Sequence, residues 1–546
     1  TDQAIGGLQL NIVRYNIGGG ENPEMQTMEP RARMAGFLRP DGTYDWTADP
    51  GQRWVLNRAI QQGANTFEAF SNSPPYFMTN SGSATGAVGG GDNLRPDRVR
   101  AFADYLATVV KRFRDHWGVR FDTLSPMNEP VANWWTYGGR QEGCHVSAGP
   151  RQSELILAVQ AALKAKRLPT LITGTEESIN NWAVSSWDAL RPEAKAAIAR
   201  LHTHCYGGSA QTWVNHRAAR DGKGLWMSEY GDGDATGMTM ARQIVLDLKV
   251  MMPTAWVYWQ VIDGGSGWGG IDIDLNQRAT DYVVNRKYHV LAQFTRWIRP
   301  GAVFVPVDDS GTVAALRGSK LVLVSVASSQ RTVRFDLSRF GAVGSSVKAV
   351  RTSPTENHAT LTPIPIAGAR FEAVLPADSV TTFEIEGCQY AGPVFSGFYT
   401  MASGRTGKRL EVPWGAQDQG AWLGTAPGSA GLEQQWHVEG RGDGVLKFRN
   451  RQTGRYAALW DDEPNKYPLL QWNDNSDTTL YWTPLVQTNG HWRLDSVRRA
   501  GEALVENPTP GNGWPDVGVY PWYGGAEQTW KLEALPGRNR GRGAAR

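Results

Sequence analysis

Three cysteines among 546 residues, Cys144, Cys205 and Cys388, exclude a disulfide-built scaffold. At least one of them has no partner within the chain, although a Cys144–Cys205 bridge stays open. No run of 18 apolar residues occurs, which excludes a membrane-spanning helix and makes membrane insertion unexpected. Charge of one sign is scarce as well. Lys and Arg total 56 against 53 Asp and Glu, a formal net charge of +3 without a long basic block, so nucleic acid is not an expected partner. A basic segment followed by an apolar one is missing at Thr1, so a leader was removed or never existed. Gly18-Gly19-Gly20 and Gly89-Gly90-Gly91 lack the following Lys-Ser/Thr, or the strand and helix, that would make them phosphate cradles. They read as rim loops. His202 and His204 lie two apart on one strand, but Cys205 points to the opposite face, so no metal and no cofactor are expected.

What is abundant is tryptophan, at 23 residues, with 17 Tyr and 62 Gly. Such a composition suits loop-framed sugar sites, where rings stack on the apolar faces of pyranoses; it equally suits cores and turns. The length implies two to four domains.

Short apolar runs alternate with amphipathic segments up to about Pro300. Strands are expected at Asn11–Ile17, Asn65–Phe70, Phe121–Ser125, Thr170–Thr173, Leu201–His204, Leu225–Ser228 and Ala255–Trp259. The clearest helix runs from Pro96 to His116, with Val99, Phe102, Ala103, Leu106, Val110 and Phe113 on one face and Pro96 suited to a first turn. Others are expected at Arg151–Lys166, Pro192–Ala199 and Thr239–Val250, and Tyr288–Arg299 reads as a last helix. Alternating strands and helices give an α/β fold. Polar residues follow many different strands, the crown of a (β/α)8 TIM barrel; an open sheet concentrates its chemistry at one switch point. Seven strands rather than eight are legible, so a first strand is expected to be missing and the barrel domain spans residues 1–299.

Residues 300–387 carry short strand patterns without helices, from Ala302–Pro306 to Thr381–Glu386, and read as a β-sandwich side domain. From 388 to 538 a weak repeat appears. Gln434-Gln435-Trp436 recurs as Leu480-Tyr481-Trp482 and Gln528-Thr529-Trp530, with Thr406-Gly407 and Thr453-Gly454 ahead of the first two. Three such units imply a β-trefoil with the repeated Trp in its core. Residues 539–546 are expected to form a flexible tail.

Two carboxylates stand at the ends of strands that two others separate: Glu129 in Met127-Asn128-Glu129-Pro130 and Glu229 in Glu229-Tyr230-Gly231. Glycosidic cleavage needs one carboxyl to protonate the leaving oxygen and a second to attack the anomeric carbon or activate water. Either glutamate equally suits a helix cap or an Arg pair. Asn128 suits a substrate 2-hydroxyl. Arg14 suits either the ionised Glu229 or a structural salt bridge. Tyr206 is expected to donate to the nucleophile, and His204 to orient a carboxylate or a sugar hydroxyl. Trp259 is the expected sugar platform, and Trp134, Trp135 and Trp268 the expected outer subsites. Glu68 and Asn72 are candidates for substrate hydroxyls, whereas Glu176-Glu177 is expected to face solvent or a loop residue.

The segments Asn128-Glu129-Pro130, Ser228-Glu229-Tyr230-Gly231 and Trp256–Trp259, with the sandwich that follows, resemble glycoside hydrolase family 30 over roughly residues 1–387. The resemblance implies a retaining hydrolase with Glu129 as acid/base and Glu229 as nucleophile. The segment from Glu68 to Met78 is similar to that of the family's endo-β-1,6-galactanases. It implies galactan side chains of arabinogalactan as substrate and oligosaccharides as products, with secretion and a monomer expected. Relatives that act on β-1,6-glucan, glucosylceramide or xylan, and an exo mode of attack, stay open. A catalytically silent carbohydrate-binding protein is the reading from another class. The Gln-x-Trp repeats resemble ricin-type β-trefoil lectins and imply shallow sugar pockets, with Glu411 and Trp414, Asp461 and Trp472, and Glu506 and Trp522 as loose candidates. A degenerate module that only packs on the enzyme is the alternative.

Overall fold

The computed structural model describes residues 7–535 apart from 276–280, 306, 308, 339, 391–396, 441–444, 462–466, 476, 488, 500 and 508–515. The expected tail, 539–546, lies outside the described residues. The chain divides into two units, Thr1–Arg296 and Trp297–Arg546.

The first unit is built on seven strands in consecutive order: β1 (Ile12–Asn16), β2 (Thr66–Phe70), β3 (Thr123–Ser125), β4 (Leu171–Glu177), β5 (Ile198–His204), β6 (Gly224–Tyr230) and β7 (Ala255–Tyr258). Every neighbouring pair is parallel. Helices fill the connections, as parallel pairing requires: α1 (Pro50–Gln61), α2 (Val99–His116), α3 (Pro150–Ala165), α4 (Asn180–Ala189), α5 (Pro192–Ala197), α6 (Gln211–Arg220), α7 (Met238–Leu246) and α8 (Arg286–Thr295). This is the expected barrel-type α/β fold, with seven strands among the described residues. Proline opens α1, α3 and α5, where its missing N–H costs nothing. All six anticipated apolar positions of α2 are buried. Phe113 from this helix meets Tyr15 of β1 at 4.7 Å and Phe121 ahead of β3 at 5.0 Å between ring centroids. Helix α2 thus packs on β1 and on the chain entering β3. The β7–α8 connection adds a small sheet of β8 (Ile262–Asp263), β9 (Ile271–Ile273) and β10 (Tyr282–Val284).

Among the described residues of the second unit, the sandwich and the trefoil each have an apolar core of their own, with a smaller cluster around Leu480 in the trefoil. In the sandwich, Phe335, Phe371 and Phe383 pack with Leu321, Leu323 and Val347. Strands Glu356–Thr360 and Phe340–Ala342 supplement those legible in the sequence. Among the described residues the trefoil has twelve strands, four per repeat, beginning at Phe398, Leu446 and Trp492. Trp436, Trp482 and Trp530 lie in one core, as the repeat predicted. A Cys144–Cys205 bridge does not form; all three cysteines are free and buried.

Candidate active site

Parallel register sets side chains of neighbouring strands on one face. Arg14 pairs with Glu68, Glu68 with Thr123, and His204 with Glu229. The inner face is therefore ionic, and its charges satisfy one another. Arg14 bonds to Glu68 at 3.0 Å, Glu176 at 3.3 Å and Glu229 at 2.8 Å. A buried guanidinium needs this, because each unpaired charge taken from water costs several kcal/mol (about 3–5). Glu176 continues the network to His202 Nδ1 at 2.5 Å, His204 Nε2 at 3.1 Å and Ser228 Oγ at 2.8 Å. Burial opposes its charge, but Arg14 and His202 hold its carboxyl well below the usual range.

Glu129 and Glu229 face each other across this network, both nearly buried. One oxygen from each and a His204 ring nitrogen all lie within 4.8 Å of one another. Glu129 has a left-handed backbone, φ 46°, a strained conformation for a residue with a Cβ. Three bonds fix it: Glu129 N–H donates to the Glu176 carbonyl at 2.8 Å, while Trp135 Nε1 and Ala132 N donate to the Glu129 carbonyl, each at 3.0 Å. Glu229 accepts from Arg14 and from the Tyr206 hydroxyl at 3.0 Å. Burial, then the neighbouring Glu229, raises the Tyr206 phenol well above its ordinary value, so it remains a donor. Asn128 lies buried beside Glu129, and its Oδ1 has no protein partner among the described residues. A substrate hydroxyl can fill that acceptor.

Aromatic rings line the rim on both sides. Trp259 is 38% exposed and Trp268 half-buried against Tyr206, at 6.2 Å. A Cβ on Gly231 would lie 2.0 Å from the Trp259 carbonyl and 2.7 Å from the Trp268 ring, so only glycine permits this floor behind Glu229. Beyond Glu129, exposed Trp134 stands 5.7 Å from the Trp182 ring at the start of α4. Asn72 is half-buried on the loop after β2.

Several expectations are corrected. Glu68 is fully buried, and Arg14, Thr123 and Thr173 occupy its oxygens, so it lies beneath the site rather than against a sugar. Trp135 is buried and supports the Glu129 backbone instead of an outer subsite. Glu176 and Glu177 do not face solvent. Glu176 points into the network, whereas Glu177 accepts from Ser186 of α4, Gln152 of α3 and, as the loop alternative expected, the Val131 N–H at 3.2 Å. Trp182 and the Glu176 hub were missed. The available signal was position, since Glu176 is among the last residues of β4 and Trp182 follows its end. Glu68, Glu176 and His202 also present three ligand atoms within 4.8 Å, but both carboxylates already accept from Arg14.

In the trefoil, Glu506 is no pocket residue. It is buried and accepts from the hydroxyls of Ser403, Thr406 and Thr425. Glu411 accepts from Gln434 at 2.9 Å and Asp461 from Arg498 at 2.6 Å. Trp414 is 99% exposed, Trp472 half-buried beside Trp460, and Trp522 lies under the Arg493 guanidinium at 4.7 Å.

Residues 1–197 match the family model for O-glycosyl hydrolase family 30, and residues 383–472 and 433–511 match that of ricin-type β-trefoil lectin-like domains. An endo-β-1,6-galactanase of Hypocrea rufa is 34% identical over 410 residues, covering 70% of this chain and 85% of that protein. The chain belongs to glycoside hydrolase family 30. As a family 30 member it is a retaining O-glycoside hydrolase acting on β-glycosidic polysaccharides. An exo-β-1,6-galactobiohydrolase of Bifidobacterium longum is 24% identical over 490 residues, with 65% of this chain and 32% of that protein covered. A family 30 subfamily 8 xylanase from Clostridium acetobutylicum shares the fold, with a TM-score of 0.54, 22% identity, and 69% and 90% coverage of the two chains.

Proposed function

We propose that the chain is a secreted, monomeric endo-β-1,6-galactanase in which Glu229 is the nucleophile and Glu129 the acid/base. The carrying observation is the separation of the two carboxylates. Oxygens within 4.8 Å leave no room for a water between nucleophile and sugar, the arrangement of direct attack. Arg14 and Tyr206 both donate to Glu229, which suits an ionised nucleophile. Glu229 bonds to the anomeric carbon as the glycosidic bond breaks, and Glu129 gives its proton to the departing oxygen. Water then loses a proton to Glu129 and displaces the ester, so configuration is retained. Asn128 meets the 2-hydroxyl and Trp259 carries the sugar face. The galactan reading is supported by the Hypocrea rufa relative and by the Glu68–Met78 segment. The trefoil, with Trp414 fully presented, is read as a sugar-binding module.

A second reading, exo release of galactobiose, is favoured by the Bifidobacterium longum relative. Early products from β-1,6-galactan, β-1,6-glucan, β-1,3-galactan and xylan separate these readings. Mixed short oligosaccharides from β-1,6-galactan are expected. Disaccharide alone from the first time point would make the enzyme exo-acting, and faster cleavage of glucan or xylan would overturn the substrate. In the same assays, azide should rescue a Glu129 variant to a β-glycosyl azide and a Glu229 variant to the α-anomer; the reverse would exchange the two roles.

A further inference from the structure

His204 faces both glutamates at once. Its Nδ1 lies 3.1 Å from Glu129 Oε1 and 3.8 Å from Glu229 Oε1, while Nε2 lies 3.1 Å from Glu176 Oε2. An ionised carboxylate only accepts hydrogen bonds, and a neutral imidazole donates from one nitrogen alone. A neutral ring here would turn a lone pair toward a carboxylate, or would draw the acidic proton of Glu129 onto Nδ1 and away from substrate.

Glu176 decides between these states. Its oxygens already accept from Arg14 on β1, His202 on β5 and Ser228 on β6, which commits it to the anion. The nitrogen facing it must therefore donate. We propose that Glu176 is a positioning residue that fixes His204 as an imidazolium, commits its Nδ1–H to Glu129 Oε1, and leaves Glu129 Oε2 as the oxygen carrying the transferable proton. The proposal rests on Glu129 being the acid/base and is independent of which polysaccharide is cut. The groups facing His204 are Glu129 after β3, Glu176 and Glu177 on β4, Glu229 on β6, and the Tyr206 ring at 5.8 Å. Arg14 and His202 lie one bond further out, and Glu68 lies beyond both. Burial opposes a charged ring, but Glu229, Glu129 and Glu176 outweigh it and push the His204 imidazole up to about 10.

The proton account closes. In glycosylation Oε2–H passes to the departing oxygen as the C1–O bond breaks, and Glu129 becomes an anion beside the imidazolium. In deglycosylation water gives Oε2 a proton as its oxygen bonds to C1 and the ester to Glu229 breaks. His204 keeps both protons throughout.

Two measurements test this. Nitrogen-15 NMR of the His204 ring in the full chain should give the imidazolium signature from pH 5 to 8, and Glu176→Gln should turn the ring neutral by pH 8. Turnover should be compared between an unactivated oligosaccharide and an aryl glycoside of the same sugar whose dinitrophenolate leaving group needs no proton. Glu176→Gln should lose about tenfold more kcat/KM on the oligosaccharide than on the aryl glycoside. Equal losses on both would reduce Glu176 to a packing role and overturn the proposal. A neutral His204 ring in the unmutated enzyme at pH 6 would overturn it even if the variant failed to fold. Should Glu129→Gln also lose equally on both substrates, the acid/base reading itself would fall and carry this proposal with it, a result separable from the Glu176 outcome.

Discussion

The barrel interior and the trefoil interior fill the same need by opposite means. Behind the barrel's rim stand the side chains of Arg14, Glu68, Glu176, His202 and His204, each withdrawn from water and each paired with another member of the group. At the trefoil centre stand Trp436, Trp482 and Trp530 with leucines, valines and a phenylalanine around them. An apolar core stabilises through area removed from water, roughly 25 cal/mol per Å², and tolerates the loss of one ring as a cavity. An ionic core gains little net energy over a hydrophobic one, yet the loss of one partner strands the others. The barrel accepts that fragility where Glu229, the proposed nucleophile, must be aimed.

Breaking the hub of the ionic core should have the largest effect. Arg14→Met leaves Glu68, Glu176 and Glu229 without their shared cation, and about 3–5 kcal/mol of barrel stability should go with it. Denaturant unfolding followed by barrel fluorescence would read this. A loss below about 1 kcal/mol would mean that the carboxylates neutralise themselves by taking protons. Turnover should fall together with stability, because Glu229 loses the guanidinium that holds its Oε2 at 2.8 Å.

A pH experiment sharpens the comparison on the barrel side. Burial pushes the Glu177 carboxyl up from 4.5 to about 7. The native chain then binds this proton more tightly than the unfolded one. The stabilisation is complete below about pH 4.5, declines as pH rises toward 7, and is flat beyond. Across that window the unmutated chain should lose about 1 kcal/mol per pH unit relative to Glu177→Gln, which has no proton to release. Melting temperatures of the pair from pH 4 to 8 measure the difference, and parallel curves would mean that the carboxyl ionises freely where it is.

The smallest effect lies inside the trefoil. The indole N–H of Trp436 donates to the Leu410 carbonyl at 3.0 Å, and that of Trp530 to the Leu504 carbonyl at 2.9 Å. Trp482 Nε1 has no such acceptor among the described residues. Replacement by Phe removes similar volume at each position but strands a buried carbonyl only at the first two. Trp436→Phe should therefore cost about 1 kcal/mol more than Trp482→Phe. Equal costs would indicate a partner for Trp482 that the unliganded core does not supply.

The apolar parts of both regions were legible in the sequence because burial of a regular face leaves a period. All seven barrel strands and the face of α2 followed from it. Helix α1 did not, since Trp54 and Val55 are exposed on it and only Leu56 is buried. The repeated tryptophans exposed the trefoil, while Leu480 in the place of Gln434 and Gln528 blurred its middle unit. The ionic core was half legible. Glu129 and Glu229 sit in recognisable segments, but the assignment of Glu176 to the interior depends on partners from β1, β5 and β6 that no local pattern brings together. Glu68 was misjudged for the same reason: a carboxylate after a strand reads as available until the guanidinium that occupies it is known.

Arg14 stands on the first described strand, whereas its partners come from β2, β4 and β6. During folding, any partial sheet assembled without β1 would carry three carboxylates without the guanidinium that they share. Burying them unpaired is costly, so the interior of such a fragment is expected to stay open to water until the strand arrives. Completion of the ionic core is thereby tied to the docking of β1, and circular variants that delay this strand are expected to refold more slowly than the unpermuted chain.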